Sequence, residues 1–89
     1  MSGPIASLRG LGPQSSRMLA AAGIASLAQL QELGAVGAYL RVRAAWPGAS
    51  LNLLWALEGA LTGRDWRAVA REERTRLLLE LDVRSEQGR

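Results

Sequence analysis

The stretch Leu51 to Leu61, LNLLWALEGAL, limits what this chain can become more than any other. Leucine or tryptophan stands at positions 51, 53, 54, 55, 57 and 61. On a 3.6-residue period these side chains wrap most of a helix circumference. A helix apolar nearly all round must be covered by its neighbours, so it is expected to be the central element over residues 51–61. Ser50 stands ready as its N-cap and Gly63 as its stop. Gly59, inside it, lets another segment come close. No run of alternating β-branched residues appears, so the expected class is all-α, with five or six helices.

The rest of the chain divides into helices by its punctuation. Pro13 suits a first helical turn, and Gly23 suits a left-handed stop after which Ile24 folds back. Ser26 caps a helix over Leu27 to Leu33, with Leu27, Leu30 and Leu33 as its apolar stripe and Gly34 at its end. Ala35 to Trp46 follows, carrying Val36, Tyr39, Leu40 and Val42 inward and Arg41 and Arg43 outward, until Pro47-Gly48 stops it. Gly37 weakens its first turn while permitting close packing. Asp65 caps a short turn through Trp66 and Val69, with Trp66 anchoring the Gly63 turn. A last helix is expected from about Arg71 to Asp82, turning Leu77, Leu78 and Leu81 inward. Glu72, Arg76, Glu80 and Arg84 follow each other at spacing four, the pattern of a solvated, ion-paired face. Residues 85–89 read as a flexible polar tail.

The segment Leu8 to Gly12 carries the first functional signal. Gly10 and Gly12 bracket Leu11, and Pro13 opens the helix behind them. A bare glycine turn before a helix start leaves N–H groups free to hold an anion. Arg9 flanks the turn and Arg17 lies one turn into the helix, with Gln14 beside it, while Ser15 and Ser16 would either donate to the anion or satisfy backbone at the helix start. Charge is skewed the same way. Residues 1–45 set four arginines (Arg9, Arg17, Arg41, Arg43) against Glu32 alone, net +3, whereas residues 46–89 balance seven arginines with seven acids. An anionic partner is therefore expected on the first half.

Composition removes several function classes. Without cysteine there is no thiol or disulfide chemistry, and without histidine the usual neutral-pH base and the commonest zinc ligand are missing. Glu58, set among apolar residues, invites a catalytic reading, but nothing beside it completes a catalytic set. An ion pair with Arg64 or Arg41 that fixes helix packing is expected instead. We expect no enzyme, no cofactor, no metal and no small-molecule substrate. The longest uncharged runs, 18–31 and 44–57, are interrupted by glycine and fall short of the about 20 residues a bilayer span needs, and no signal peptide is visible. A cytoplasmic protein without membrane contact is expected. All eleven basic residues are arginine, a bias better explained by genomic base composition than by a ligand. Of the three tryptophans, Trp55 reads as core, and Trp46 as the only one placed for exposure, though it is expected to cover an edge of the core. Asn52 reads as a hydrogen-bond partner for a neighbouring loop.

Leu8-Arg9-Gly10-Leu11-Gly12 resembles the turn of helix-hairpin-helix domains, a likeness that implies sequence-independent contact with the DNA backbone through Gly10, Leu11 and Gly12. Over a longer span, Ile5 to Asp82, the chain resembles the C-terminal domain of the TfoX (Sxy) competence regulators. Leu8-Arg9, Leu11-Gly12-Pro13, Ala22-Gly23-Ile24, Leu33-Gly34-Ala35-Val36, Ala38-Tyr39, the block Ser50 to Leu61, Gly63, Trp66 and Glu72-Glu73-Arg74 carry the likeness. Gly10 departs from it, standing where asparagine is more usual. The resemblance implies a bacterial helix-hairpin-helix (SAM-like) domain, here residues 4–84. In full-length relatives it accompanies an N-terminal α/β domain and helps switch on genes for DNA uptake. Since Met1 lies just before the matching region, a stand-alone copy is expected. It would have lost the regulatory role or would act with a separate regulatory protein or N-terminal-like domain. The expected contact set is Arg9, Gly10, Leu11, Gly12, Gln14, Ser15, Arg17, Arg41 and Arg43, facing backbone phosphates. The competing expectation is a protein-docking module that does not touch DNA.

Overall fold

The computed structural model describes residues 13–87. Among them are five helices and no strand: α1 (Pro13–Ala21), α2 (Leu27–Ala45), α3 (Leu51–Thr62), α4 (Trp66–Glu72) and α5 (Arg74–Gln87). The turn Leu8 to Gly12 lies outside the described residues.

α1 ends in a double hydrogen-bonded reversal. Gly23 takes φ 85°, its N–H donates to the Ala20 carbonyl at 3.0 Å, and the Ile24 N–H donates to the Leu19 carbonyl at 2.8 Å. That pairing is a Schellman closure, and Ile24 and Leu19 are both fully buried against each other's end of it. Two residues later Ser26 starts α2 with a reciprocal cap. Its hydroxyl accepts from the Gln29 N–H at 3.2 Å, while the Gln29 side chain accepts from the Ser26 N–H at 3.1 Å.

α2 joins the two helices expected on either side of Gly34. Gly34 sits at φ 73°, ψ 170°, so the segment runs as two rods meeting at a break rather than as one straight helix. The break lets the first rod bury Leu30 and the second bury Ala35, Val36, Ala38, Tyr39 and Val42 against the same core. The Tyr39 hydroxyl donates to the Ala49 carbonyl at 2.8 Å, tying the turn after α2 back onto the helix.

α3 is the packing axis. Leu53, Leu54, Trp55, Leu57 and Gly59 are buried between α2 and α4. Its exposed side is narrow and begins with Leu51 and Asn52. Ser50 stands at the N-cap with extended backbone, but its side chain makes no capping bond. Gly63 closes the helix at φ 74°. The Arg64 N–H then donates to the Gly59 carbonyl at 2.9 Å, and the Asp65 side chain caps α4 by accepting from the Arg67 N–H at 2.8 Å.

The last expected helix is displaced. The chain breaks at Glu73 (φ −111°, ψ 4°), so Glu72 closes α4 and α5 starts at Arg74. α5 continues to Gln87, three residues into the stretch read as tail. Two arginines hold that extension: Arg43 donates to the Ser85 hydroxyl at 3.0 Å and Arg84 to the Leu33 carbonyl at 3.3 Å. Leu77 and Leu81 are buried and Leu78 partly so, as the spacing implies.

The helix break also rewires the ion pairs. Glu72 binds Arg64 instead of Arg76, while the expected Arg76–Glu80 and Glu80–Arg84 pairs form at 3.9 and 3.1 Å. Glu58 is indeed ion-paired, but to Arg76 at 2.8 Å and not to Arg64 or Arg41. Arg76 is shared with Glu73, also at 2.8 Å, so one guanidinium joins α3 to the α4–α5 junction.

This junction gives stability a pH dependence. The hydrogen bond from Arg76 is the largest influence on Glu73; it outweighs burial and, with Arg64, holds the Glu73 carboxyl below its usual range. A lowered folded-state value stabilises the fold above the unfolded carboxylate range, and that contribution is lost as pH falls through the folded value. Glu73→Gln is therefore expected to melt below the parent at neutral pH, with the gap closing as the solution is acidified. Parallel thermal melts across the acid range check this.

Candidate nucleic-acid interface

The expected contact residues do not form one site. Arg9, Gly10, Leu11 and Gly12 lie outside the described residues. Gln14, Ser15 and Arg17 occupy the first turns of α1, with Gln14 and Arg17 exposed and Ser15 half-buried. Because α1 is anchored at its far end by Leu19 and the Gly23 closure, its early turns lie beside the Trp46–Ser50 turn. Gln14, Arg17 and Met18 form one wall of a cleft of about 420 Å³ whose other wall is Trp46, Gly48 and Ala49. A neighbouring hollow of about 290 Å³ runs from Gln14 and Ser15 to Ser50 and Asn52. Asn52 is exposed there, and among the described residues its side chain has no hydrogen-bond partner.

Arg41 is exposed on the second rod of α2 and borders neither hollow. Arg43 is half-buried and turned the other way. Its guanidinium lies 5.6 Å from the Tyr39 ring centre and donates to Ser85. The structure thus brings Gln14, Ser15 and Arg17 together and separates Arg41 and Arg43 from them.

The tryptophans sort by depth. Trp55 is core, 5% exposed, whereas Trp46 is 48% exposed beside Arg17. Trp66 is also exposed, with Arg67 lying 5.4 Å from its ring centre. Sequence reasoning missed the neighbourhood of Arg17 and Trp46; they are nearly thirty positions apart, and only the packing of α1 against the turn after α2 reveals it.

Charge neutralisation is uneven. All ion pairs among the described residues use Arg64, Arg76 or Arg84, with Glu58, Glu72, Glu73 and Glu80 as partners. Arg17, Arg41 and Arg43 have no carboxylate within ion-pair distance among those residues. Arg67, Arg71 and Arg74 have none either, but the second half sets Asp65, Asp82 and Glu86 against them, whereas the first half has only Glu32. The excess positive charge of the first half is therefore not cancelled by the folding of the second.

These helices, their glycine stops and the α3 core coincide with a known domain. Residues 1–81 match the TfoX C-terminal domain family. The chain belongs to that family. A similar fold appears in a crystal structure (triclinic form) of an uncharacterized protein from Listeria monocytogenes, 27% identical to this chain. That comparison has a TM-score of 0.77 and covers 84% of this chain and 85% of the other. No curated protein matches. Most residues through which the TfoX likeness is read are structural: Ala22-Gly23-Ile24 form the α1 closure, Gly34 the α2 break, and Ser50 to Leu61 the packing axis. Gln14, Ser15, Arg17, Arg41 and Arg43 are not among them, so family membership fixes the frame and leaves the contact surface to be argued from its own chemistry. Among the described residues, no helix is long and apolar enough to cross a membrane, and no cluster of metal-ligating side chains occurs.

Proposed function

We propose that this TfoX C-terminal domain is a competence-related accessory module of transcription that makes weak, sequence-independent contacts with the DNA backbone. The observation that carries this reading is the unneutralised arginine of the first half: Arg17 stands exposed at the start of α1 with Gln14 and Ser15, free of any carboxylate among the described residues. An exposed guanidinium beside polar groups at a helix start suits a phosphate oxygen, which needs charge and N–H donors but no base-specific groups. Gly10, Leu11 and Gly12, with Arg9, would extend the same contact through backbone amides, and Arg41 would add longer-range attraction.

Such binding falls steeply with salt, because each phosphate contact releases counterions; the logarithmic slope is about −0.9 per contact on duplex DNA. Titration of a labelled duplex at two salt concentrations is expected to give the same affinity for unrelated sequences. Arg9→Ala and Arg17→Ala should each flatten the slope by about 0.9. Absence of binding at low salt, or a slope unchanged in both variants, contradicts the reading.

A second reading, docking of a regulatory protein, is favoured by the half-exposed Trp46 on the wall of the α1 cleft. An indole open to solvent among Met18 and Ala49 suits an apolar anchor from a partner. A partner retained after nuclease treatment, and lost with Trp46→Ala, would support this reading over the first.

A further inference from the structure

The hollow between the second rod of α2 and the end of α5 has no role in either reading. It measures about 300 Å³ and is lined by Leu40, Arg43, Ala44, Arg84 and Ser85. Two arginines and a serine therefore border one small space, contributed by helices more than forty residues apart in sequence. Arg43 reaches it across the Tyr39 ring and donates one N–H to Ser85 at 3.0 Å. Arg84 reaches it from α5, steadied by the Leu33 carbonyl at 3.3 Å and by Glu80 at 3.1 Å.

We propose that this hollow is a phosphate-binding site, formed by Arg43, Arg84 and the Ser85 hydroxyl. The two arginines are not equivalent. Glu80 offsets the charge of Arg84, but Arg43 meets only a neutral hydroxyl and an aromatic face among the described residues. A half-buried guanidinium without a carboxylate keeps an uncompensated charge where water solvates it less well, which strengthens its attraction for an anion. Its planar fork has five N–H donors, and Ser85 occupies one of them. Ser85 accepts from Arg43, which leaves its own hydrogen available as a third donor. Tetrahedral oxyanions with several acceptor oxygens match this donor set better than a planar carboxylate, which two N–H groups already saturate. The inference does not depend on α1 touching DNA, because the hollow shares no residue with the α1 cleft. The phosphate belongs either to a nucleic acid backbone or to a free phosphorylated molecule.

The test follows the amide and arginine side-chain NMR signals of the 89-residue chain during titration with inorganic phosphate and, separately, with a short DNA duplex. Sodium chloride at matched ionic strength is the control. Saturable shifts of Arg43, Arg84 and Ser85 with phosphate, absent with chloride, are expected. Arg84→Gln should weaken the response about tenfold, and so should Arg43→Lys, which keeps the charge but loses the fork. Retained dispersion in the remaining spectrum shows that each variant is folded. If the duplex moves the same signals and phosphate competes, the source is a backbone; if only free phosphate acts, the source is a small phosphorylated molecule. Shifts of Gln14 to Arg17 without any at Arg43, Arg84 and Ser85 would overturn this site while leaving the α1 reading intact. No saturable shift in either titration overturns it outright.

Discussion

Leu54→Ala is expected to destabilise the domain by about 2–5 kcal/mol, enough to leave a substantial fraction unfolded near body temperature. Leu54 is fully buried on α3, the helix that α2 and α4 both cover, so its loss opens a cavity that rigid neighbours on two sides cannot fill. Small domains hold only about 5–15 kcal/mol in reserve, so one such cavity removes a large part of it. The contrast is Leu79, chemically identical but 63% exposed on α5. Leu79→Ala should stay within about 0.5 kcal/mol of the parent. Urea unfolding of the three proteins measures both values. Equal midpoints for Leu54→Ala and Leu79→Ala would mean that α3 is not the packing axis.

Gly59→Ala should also destabilise, by about 1–3 kcal/mol, against the local preference of a helix for alanine. A Cβ at Gly59 would lie 2.5 Å from the Arg64 carbonyl oxygen and 3.4 Å from the Trp66 nitrogen. Both are backbone atoms, and they are fixed: Arg64 donates back to the Gly59 carbonyl, Gly63 holds its left-handed turn, and Asp65 caps α4. Neither the turn nor the start of α4 can yield without losing one of these bonds. Gly37 offers the opposite case. Its added Cβ would come within 3.0 Å of the tip of the Arg84 side chain and within ordinary contact of Leu33. One flexible side-chain end must therefore give, at the cost of no more than its 3.3 Å hydrogen bond to the Leu33 carbonyl. Gly37→Ala is therefore expected to equal or exceed the parent in thermal midpoint, while Gly59→Ala falls below it. The same order for both, whichever way, would contradict the close approach of the α3–α4 turn.

What the sequence made legible was whatever is encoded locally. The apolar circumference of 51–61, the stops at Gly23, Gly34 and Gly63, and the caps at Ser26 and Asp65 all depend on residues within a turn or two of each other, and the structure bears each of them out. Ser50 shows the limit of that logic: it takes the N-cap position and backbone angles, yet its hydroxyl makes no capping bond. Partners of arginine were the hardest to read. Glu58 accepts from Arg76, eighteen positions away, because the break at Glu73 turns the start of α5 so that the Arg76 side chain reaches back to α3. That break has no glycine or proline to announce it, so Glu72 and Arg76 looked like neighbours on one helix. The extension of α5 to Gln87 was hidden for a similar reason: Ser85 is held by Arg43, forty-two positions earlier. For the candidate interface, the exposure of Arg17 could be anticipated from its place on a short polar helix, while its approach to Trp46 and the diversion of Arg43 to α5 are products of tertiary packing alone.

The most direct measurement of the central claim is amide shift mapping with a short duplex at low salt. The unneutralised first half should respond: perturbations concentrated on residues 9–18, with Arg17 and Gln14 prominent, and reversal on adding salt. The paired arginines Arg64 and Arg76, whose donors are occupied by carboxylates, should stay silent. A spectrum unmoved at residues 9–18, or one in which Arg64 and Arg76 respond instead, contradicts the account.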